Sequence, residues 1–235
     1  MVTRRRESSD RPSAGGQDHP SSLPQAILNS SRAAFEENGY HGTSVRDIAR
    51  RVGVTVPTLY YHFENKQAIL VELLTSLMEV ILARCRVALA EAGRDPADRF
   101  AALVRCLVLS LAEPGRPGTL DAEMRGLEPE NRAKYVALRD QLEDELNRVV
   151  DEGVTRGVFT TPYTREAGRA VLAMCQALPR WFDPEGELDS SEVARRYVAL
   201  ALGMVGHRPT GRGRRKARQL VESAPDGPPD HVREP

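Results

Sequence analysis

The sequence predicts an all-α fold in two parts: an N-terminal three-helix helix-turn-helix unit and a larger C-terminal helical domain. Three observations carry that expectation. Apolar residues recur at spacings of 3, 4 and 7 in segment after segment, the period of a helix with one buried face. Gly and Pro fall between those segments, with Ser, Thr or Asp placed to cap the helix that follows. Aromatic residues make up only 5% of the chain while Ala, Leu and Val are plentiful, a composition suited to helix-on-helix packing. A chain of 235 residues can bury a real core. No apolar run approaches the roughly 20 residues of a membrane span. Formal net charge is zero, so any attraction to a polyanion must come from local arrangement. The organisation expected is a disordered arm over 1–22, the helix-turn-helix unit over 23–70, the second helical domain over 71–206 and a disordered basic tail over 207–235.

Residues 1–22 are rich in Ser, Pro, Gly and charge and cannot bury enough apolar surface to fold. Arg4, Arg5 and Arg6 leave two readings open, a plain leader or a basic arm touching phosphates or the minor groove. With no apolar stretch behind them, they are not a secretory signal. The first helix begins near Leu23–Pro24 and runs to about Asn38, with Ile27, Leu28, Ala34 and Phe35 inward and Gly39 as its stop. Thr43 is placed to cap a second helix, Ser44–Val52, and Asp47 lies three places past Ser44 as in a capping box. Val45, Ile48, Ala49 and Val52 form its inner face, and Gly53 ends it in the left-handed conformation glycine adopts cheaply. Thr55 caps a third helix with Pro57 in its first turn and Val56, Leu59, Tyr60 and Phe63 inward.

Two short helices around a tight glycine turn make a helix-turn-helix, whose second helix enters the major groove of double-stranded DNA. The outward set is Thr55, Pro57, Thr58, Tyr61 and His62. Threonine hydroxyls reach base edges or phosphates, and a proline ring can meet a thymine methyl. Val56 is divided between burial and the groove. Arg46, on the outer side of the preceding helix, is a candidate reader of base or phosphate, whereas Arg50 and Arg51 read equally as solvated charge. Thr43, Ser44 and Lys66 lie at helix N-terminal ends, where backbone amides and a nearby cation suit a phosphate.

The segment GYHGTSVRDIARRVGVTVPTLYYHFENK, residues 39–66, resembles the DNA-binding segment of the tetracycline-repressor family of bacterial transcription regulators. The matched features are Gly39–Tyr40, Thr43, Ile48–Ala49, Gly53–Val54, the run from Leu59 to Phe63, and Lys66. The resemblance covers about residues 23–75. It implies a cytoplasmic homodimer acting on a palindromic operator, with a separate domain for a small hydrophobic effector and no cofactor. It further implies that Tyr60 reaches a phosphate with its hydroxyl while its ring is packed, and that Tyr61 and His62 clamp backbone oxygens. Two departures stand out. The basic residue usual near the start of the first helix is missing from Leu23-Pro24-Gln25, and Val56 replaces a residue often basic or polar.

Beyond the motif, a long helix from Lys66 to about Ala92 links the two parts. Asp95 then caps and Pro96 opens a helix to about Glu113 that is apolar nearly all round, the mark of a buried helix. Residues 114–118 read as a loop and 119–127 as a short helix. Glu128-Pro129-Glu130 starts a longer helix to about Glu152 with one wet face. Residues 120–152 hold ten acidic residues against five basic, so this half does not bind DNA. Two last helices, about Thr164–Leu178 and Ser190–Val205, carry small and β-branched residues at helical spacing. Ala170, Met174, Val193, Tyr197, Ala201 and Val205 are therefore candidates for a two-fold four-helix interface, with ordinary intrachain core as the other reading. The tail holds six Lys/Arg and no acid between His207 and Leu220, and reads as a disordered segment able to touch DNA nonspecifically.

Reactive constellations are missing. There is no Gly-rich phosphate loop with Lys-Ser/Thr, no paired-His metal pattern and no nucleophile elbow, so neither catalytic nor metal residues are expected. Cys85, Cys106 and Cys175 each sit inside an apolar helical stretch and read as reduced, buried thiols of a cytosolic protein. Glu123–Arg125, the Arg139-Asp140 pair and Arg180-Trp181-Phe182 with Tyr197 resemble the branch of the family that senses acyl-coenzyme A thioesters and controls lipid, steroid or aromatic catabolism. Cys106, Met124, Met174, Cys175 and Trp181 are candidates to line an apolar pocket, with Arg132, Arg169 or Arg180 at its mouth for phosphates; simple core and surface placement is the alternative. Three functional readings follow: a ligand-responsive repressor, a DNA-binding protein governed by a protein partner, and an enzyme with an incidental helix-turn-helix.

Overall fold

The computed structural model describes residues 22–113, 123–124 and 126–208, and among these every regular element is helical. In order they are α1 (Leu23–Gly42), α2 (Val45–Val52), α3 (Val56–His62), α4 (Lys66–Glu91), α5 (Pro96–Ala112), α6 (Pro129–Thr155), α7 (Thr164–Gln176) and α8 (Ser190–Met204), with a 3-10 turn at Leu178–Arg180. The expected loop at 114–118, the arm before residue 22, the tail after 208 and most of the expected short helix at 119–127 lie outside the described residues; Glu123 and Met124 are in 3-10 conformation.

Local chemistry sets the boundaries. Gly39 breaks α1 at φ +74°, so the turn from Tyr40 to Gly42 is set off from the helix before it. The cap of α2 is Ser44, one residue later than the sequence suggests, because the Thr43 side chain turns into the core instead. Gly53 adopts φ +81° and closes α2 by donating its amide to the carbonyls of Ala49 and Arg50. Asn65 caps α4 by accepting from the Ala68 amide, and Asp95 caps α5 through the Ala97 amide, with Pro96 at the first helical position.

The buried side chains form one connected cluster from Ile27 in α1 to Val205 just past α8. The 26-residue α4 runs through both parts: Ile69 and Leu70 belong to its first turns, Ile81, Leu82 and Cys85 to its far half. α5 sits at the centre against α4, α6, α7 and α8. It is less uniformly covered than its sequence suggests, because Arg105 is exposed and Arg99 pairs with Glu152 of α6. Gln67 at the start of α4 meets the start of α6, its Oε1 accepting from the Glu128 amide and from Asn131 Nδ2, both at 2.9 Å. Arg86, farther along α4, reaches Gln141 and Glu145 of α6, so the two helices run in the same direction. At the opposite end Phe159 packs edge-on against Phe100 and fills the space beside Gly153, where a Cβ would come within 2.0 Å of its ring.

The face of α8 is a correction to the sequence reading. Val193, Ala201 and Val205 are 1%, 0% and 0% exposed within the single chain, closed over by α5, and belong to the core, not to a seam between chains.

Candidate nucleic-acid interface

Ser44 and Asp47 form a complete capping box on α2. Ser44 Oγ accepts from the Asp47 amide at 3.2 Å, and an Asp47 carboxylate oxygen accepts from the Ser44 amide at 3.1 Å. The Ser44 hydroxyl and amide, with Arg50 adding to them, hold the Asp47 carboxyl below the usual carboxylate range. Ile48 and Ala49 anchor α2 from below, and Leu59 is the one fully buried residue of α3. Thr55 caps α3 by accepting from the Thr58 amide at 3.3 Å, and the two threonine hydroxyls lie 2.7 Å apart.

With Leu59 pointing inward, α3 presents Thr55, Pro57, Tyr60 and Tyr61 to solvent, with Val56, Thr58 and His62 half-buried at its edges. Tyr61 is 87% exposed and meets the His62 ring edge-on at 5.1 Å. Tyr60 departs from the sequence reading. It is 49% exposed, so its ring is not packed into the domain and stands on the open face beside Tyr61. The seven residues of α3 include no Lys, Arg, Asp or Glu. A helix so composed offers shape, hydroxyls and rings but no Lys or Arg charge, and the nearest guanidinium groups belong to α2.

The three arginines of α2 differ. Arg51 makes a two-pronged pair with Glu37 of α1, both contacts at 2.6 Å, which lowers the Glu37 carboxyl and raises the guanidinium. Arg50 pairs with Asp47 at 3.2 Å. Arg46 is exposed and has no ion-pair partner among the described residues. Sequence reasoning has no means of seeing the Glu37 contact, which spans fourteen residues.

Two expected phosphate residues are turned to internal work. Thr43 is 3% exposed, and its hydroxyl lies 3.0 Å from the Ala34 carbonyl and 2.9 Å from that of Gly39. Lys66 Nζ donates to the carbonyls of Tyr40 at 2.7 Å and Thr43 at 2.8 Å and stands 4.3 Å above the Tyr40 ring. Burial lowers its pKa, with Glu123 acting in the other direction. Lys66 therefore closes the carbonyl end of α1 and keeps at most one hydrogen for anything else.

The residues expected to line a pocket occupy separate places among the described residues. Cys175 is fully buried and Cys106 half-buried, with the Cys106 sulfur 3.6 Å from that of Cys85. Met124 packs on the core with Arg139 Nη1 3.9 Å from its sulfur, and Met174 is half-buried on α7. Arg132 and Arg180 are exposed or nearly so, and Arg169 donates to Glu143 at 2.9 Å. Trp181 is half-exposed and stacks on Tyr197 with 6.2 Å between ring centroids. A groove does exist between α6 and α7, but Asp140, Glu143, Asp144, Asn147, Arg148, Asp151, Arg165 and Arg169 line it, so it is polar.

Residues 27–73 match the model of the tetR family of bacterial regulatory proteins, and residues 93–205 match that of the tetracyclin repressor-like C-terminal domain. The solved TetR family regulator PfmR from Thermus thermophilus is 36% identical, with a TM-score of 0.70 over 75% of this chain and 97% of that one. This chain belongs to the tetracycline-repressor family. It is thus a DNA-binding transcription regulator and not an enzyme. Among curated relatives, the transcriptional repressor KstR2 of Mycobacterium tuberculosis is 26% identical over 183 residues, covering 75% of this chain and 90% of its own. AibR, solved in complex with isovaleryl coenzyme A and operator DNA, shares the fold at a TM-score of 0.71 and 21% identity, over 80% of this chain and all of its own.

On this tetracycline-repressor scaffold the apolar residues left open on α7 and α8 coincide only in part with those singled out from the sequence. Trp181, Leu200 and Met204 are 50%, 58% and 41% exposed. Tyr197 is half-buried between Trp181 and the core, and Met174 is half-buried on α7 beside the buried Val171 and Cys175. Leu200 and Met204 do not stand out in the sequence because their neighbours Ala201 and Val205 have the same apolar character; which of the two sets faces out depends on where α5 lies. Among the described residues no helix is long and apolar enough to cross a membrane.

Proposed function

We propose that this chain is a cytoplasmic homodimeric repressor that binds a palindromic operator through α3 and is released by a small hydrophobic effector, best read as an acyl-coenzyme A thioester. The observation that carries the repressor reading is the build of α4, which supports the helix-turn-helix at one end and belongs to the regulatory core at the other. Two further contacts tie the halves together: His41 at the end of α1 lies 3.1 Å from Glu123, and Gln67 holds the start of α6. A ligand that shifts α4 therefore moves α3. It lowers DNA affinity only as far as it binds the shifted form better than the DNA-competent one. Recognition helices of a two-fold dimer must lie about 34–36 Å apart to read successive major grooves. The seam is assigned to Ala170 and Met174 of α7, Trp181, and Tyr197, Leu200 and Met204 of α8. Support for the acyl thioester comes from the resemblance of the Arg180–Phe182 region and from AibR, whose fold accommodates isovaleryl coenzyme A together with operator DNA.

A titration of the operator-bound protein with a panel of acyl-coenzyme A thioesters, read by fluorescence anisotropy, tests this. Release by a thioester of a hydrophobic acid, and far less by free coenzyme A, is the expected result. A flat response to the panel with release by another apolar compound removes the thioester reading and keeps the repressor. One observation favours a second reading, regulation by a protein partner: the groove between α6 and α7 is polar. A flat response to every small compound supports it.

A further inference from the structure

Two cysteines 21 positions apart in sequence meet across the packed seam between α4 and α5. Cys85 is fully buried on α4 and donates its thiol hydrogen to the sulfur of Cys106 on α5, 3.6 Å away. Cys106 is half-buried, so a small reagent has a path to it that Cys85 lacks. Its surroundings favour the thiolate. The Cys85 hydrogen bond is the largest influence lowering the Cys106 pKa, Ser110 and Arg84 act in the same direction, and burial and Glu113 oppose them. Arg84 is held in place by its pairing with Glu113. The same contact, with burial, raises the Cys85 thiol, so one sulfur of the pair is prepared to attack while its neighbour keeps its proton. Cys175 differs from both: burial alone pushes it up to about 12.

We propose that Cys85 and Cys106 form an oxidation site at which a hydroperoxide closes a reversible disulfide between α4 and α5. The Cys106 thiolate attacks the peroxide O–O bond, forming an S–O bond and expelling hydroxide or alkoxide, which leaves a sulfenic acid at Cys106. The Cys85 sulfur then attacks the sulfenic sulfur, an S–S bond replaces the S–O bond, and hydroxide departs and takes up the Cys85 proton as water. Two thiols have lost two electrons, and the hydroperoxide has become an alcohol, or water, plus one water. The sulfurs need approach by only about 1.5 Å to reach the roughly 2.05 Å of a disulfide. Dithiols reverse the step. The cross-link fastens α4, the helix that carries the helix-turn-helix, to the central helix of the second half.

The test uses the full-length chain and hydrogen peroxide at neutral pH. Thiols counted after unfolding should fall from three to one per chain and return to three with dithiothreitol. Peptide mapping without reductant should join Cys85 to Cys106 within one chain. In Cys85→Ser the hydroxyl can still donate to Cys106 but cannot close a disulfide, so the sulfenic acid has no partner, and dimedone labelling of Cys106 should rise several-fold over wild type. A retained count of three, a bridge that includes Cys175, or bridges between chains overturns the proposal. Should Cys85→Ser not fold, the wild-type count and map decide alone.

Discussion

α2–α3 and α7–α8 are both pairs of short helices with small and apolar residues at helical spacing, yet their outer faces are legible in the sequence to very different degrees. In α2 the inner face is fixed locally, because Ile48 and Ala49 lie opposite Arg46, Arg50 and Arg51 and only the apolar side can sit on α1. The surface that remains is then nearly forced. In α7–α8 both sides of α8 are apolar, and the position of α5 decides which side is interior. Caps give the limits of a helix and say nothing of its rotation. The residues that a helix offers to partners follow from sequence only when one of its sides is plainly polar.

Neighbouring residues on α8 break the comparison most sharply. Ala201→Glu places a carboxylate without a partner in the core, a loss on the order of several kcal/mol, and the protein should fail to fold or melt far below wild type. Leu200→Glu, one position away, should keep the helical spectrum and sediment as a folded monomer. A folded Ala201→Glu monomer beside an unperturbed Leu200→Glu dimer would reverse the two faces.

A smaller effect separates anchor from reader in α3. Leu59→Ala removes its one buried side chain and should cost about 2–5 kcal/mol, visible in denaturant melts, with operator binding lost along with the helix. Tyr61→Ala should leave the melt within about 0.5 kcal/mol of wild type and weaken all DNA sequences alike. Equal destabilisation by both would mean that the Tyr61 ring is structural.

The smallest difference lies among the arginines. Arg46→Ala should reduce the slope of log K against log salt by about 1. Arg51→Ala should leave that slope unchanged, since its guanidinium already holds Glu37. Binding isotherms at several salt concentrations distinguish the two, and equal slopes for both variants would show that the Glu37 pair opens on DNA.

Helix order and the limits of α4, α5 and α8 are legible because Asn, Asp and Pro at helix starts act on the next few amides and on nothing distant. Thr43 reads as a cap in the sequence because Ser and Thr are both able caps; the choice between Thr43 and Ser44 depends on carbonyls of α1 that only the folded chain presents. Tyr60 reads as inward because its spacing from Val56 suits a helix face, but a seven-residue helix is anchored through Leu59 and cannot bury a wide stripe. Cys85 and Cys106, or His41 and Glu123, are pairs whose meeting depends on how helices cross. No local pattern records that.

The contact of Gln67 with α6 has a mechanical consequence. Glu128 makes no side-chain cap to its own helix, and at the third helical position Asn131 offers an amide nitrogen where an acidic residue would accept the Glu128 amide. The missing acceptor is borrowed from another helix: Gln67 of α4 takes both hydrogens. The first turn of α6 is therefore complete only while α4 stays in place. Swinging α4 outward would strip two donors at once and loosen the start of the acidic helix. Stiffness in this regulator is shared between helices far apart in the chain, and its resting position is the one in which neither has a loose end.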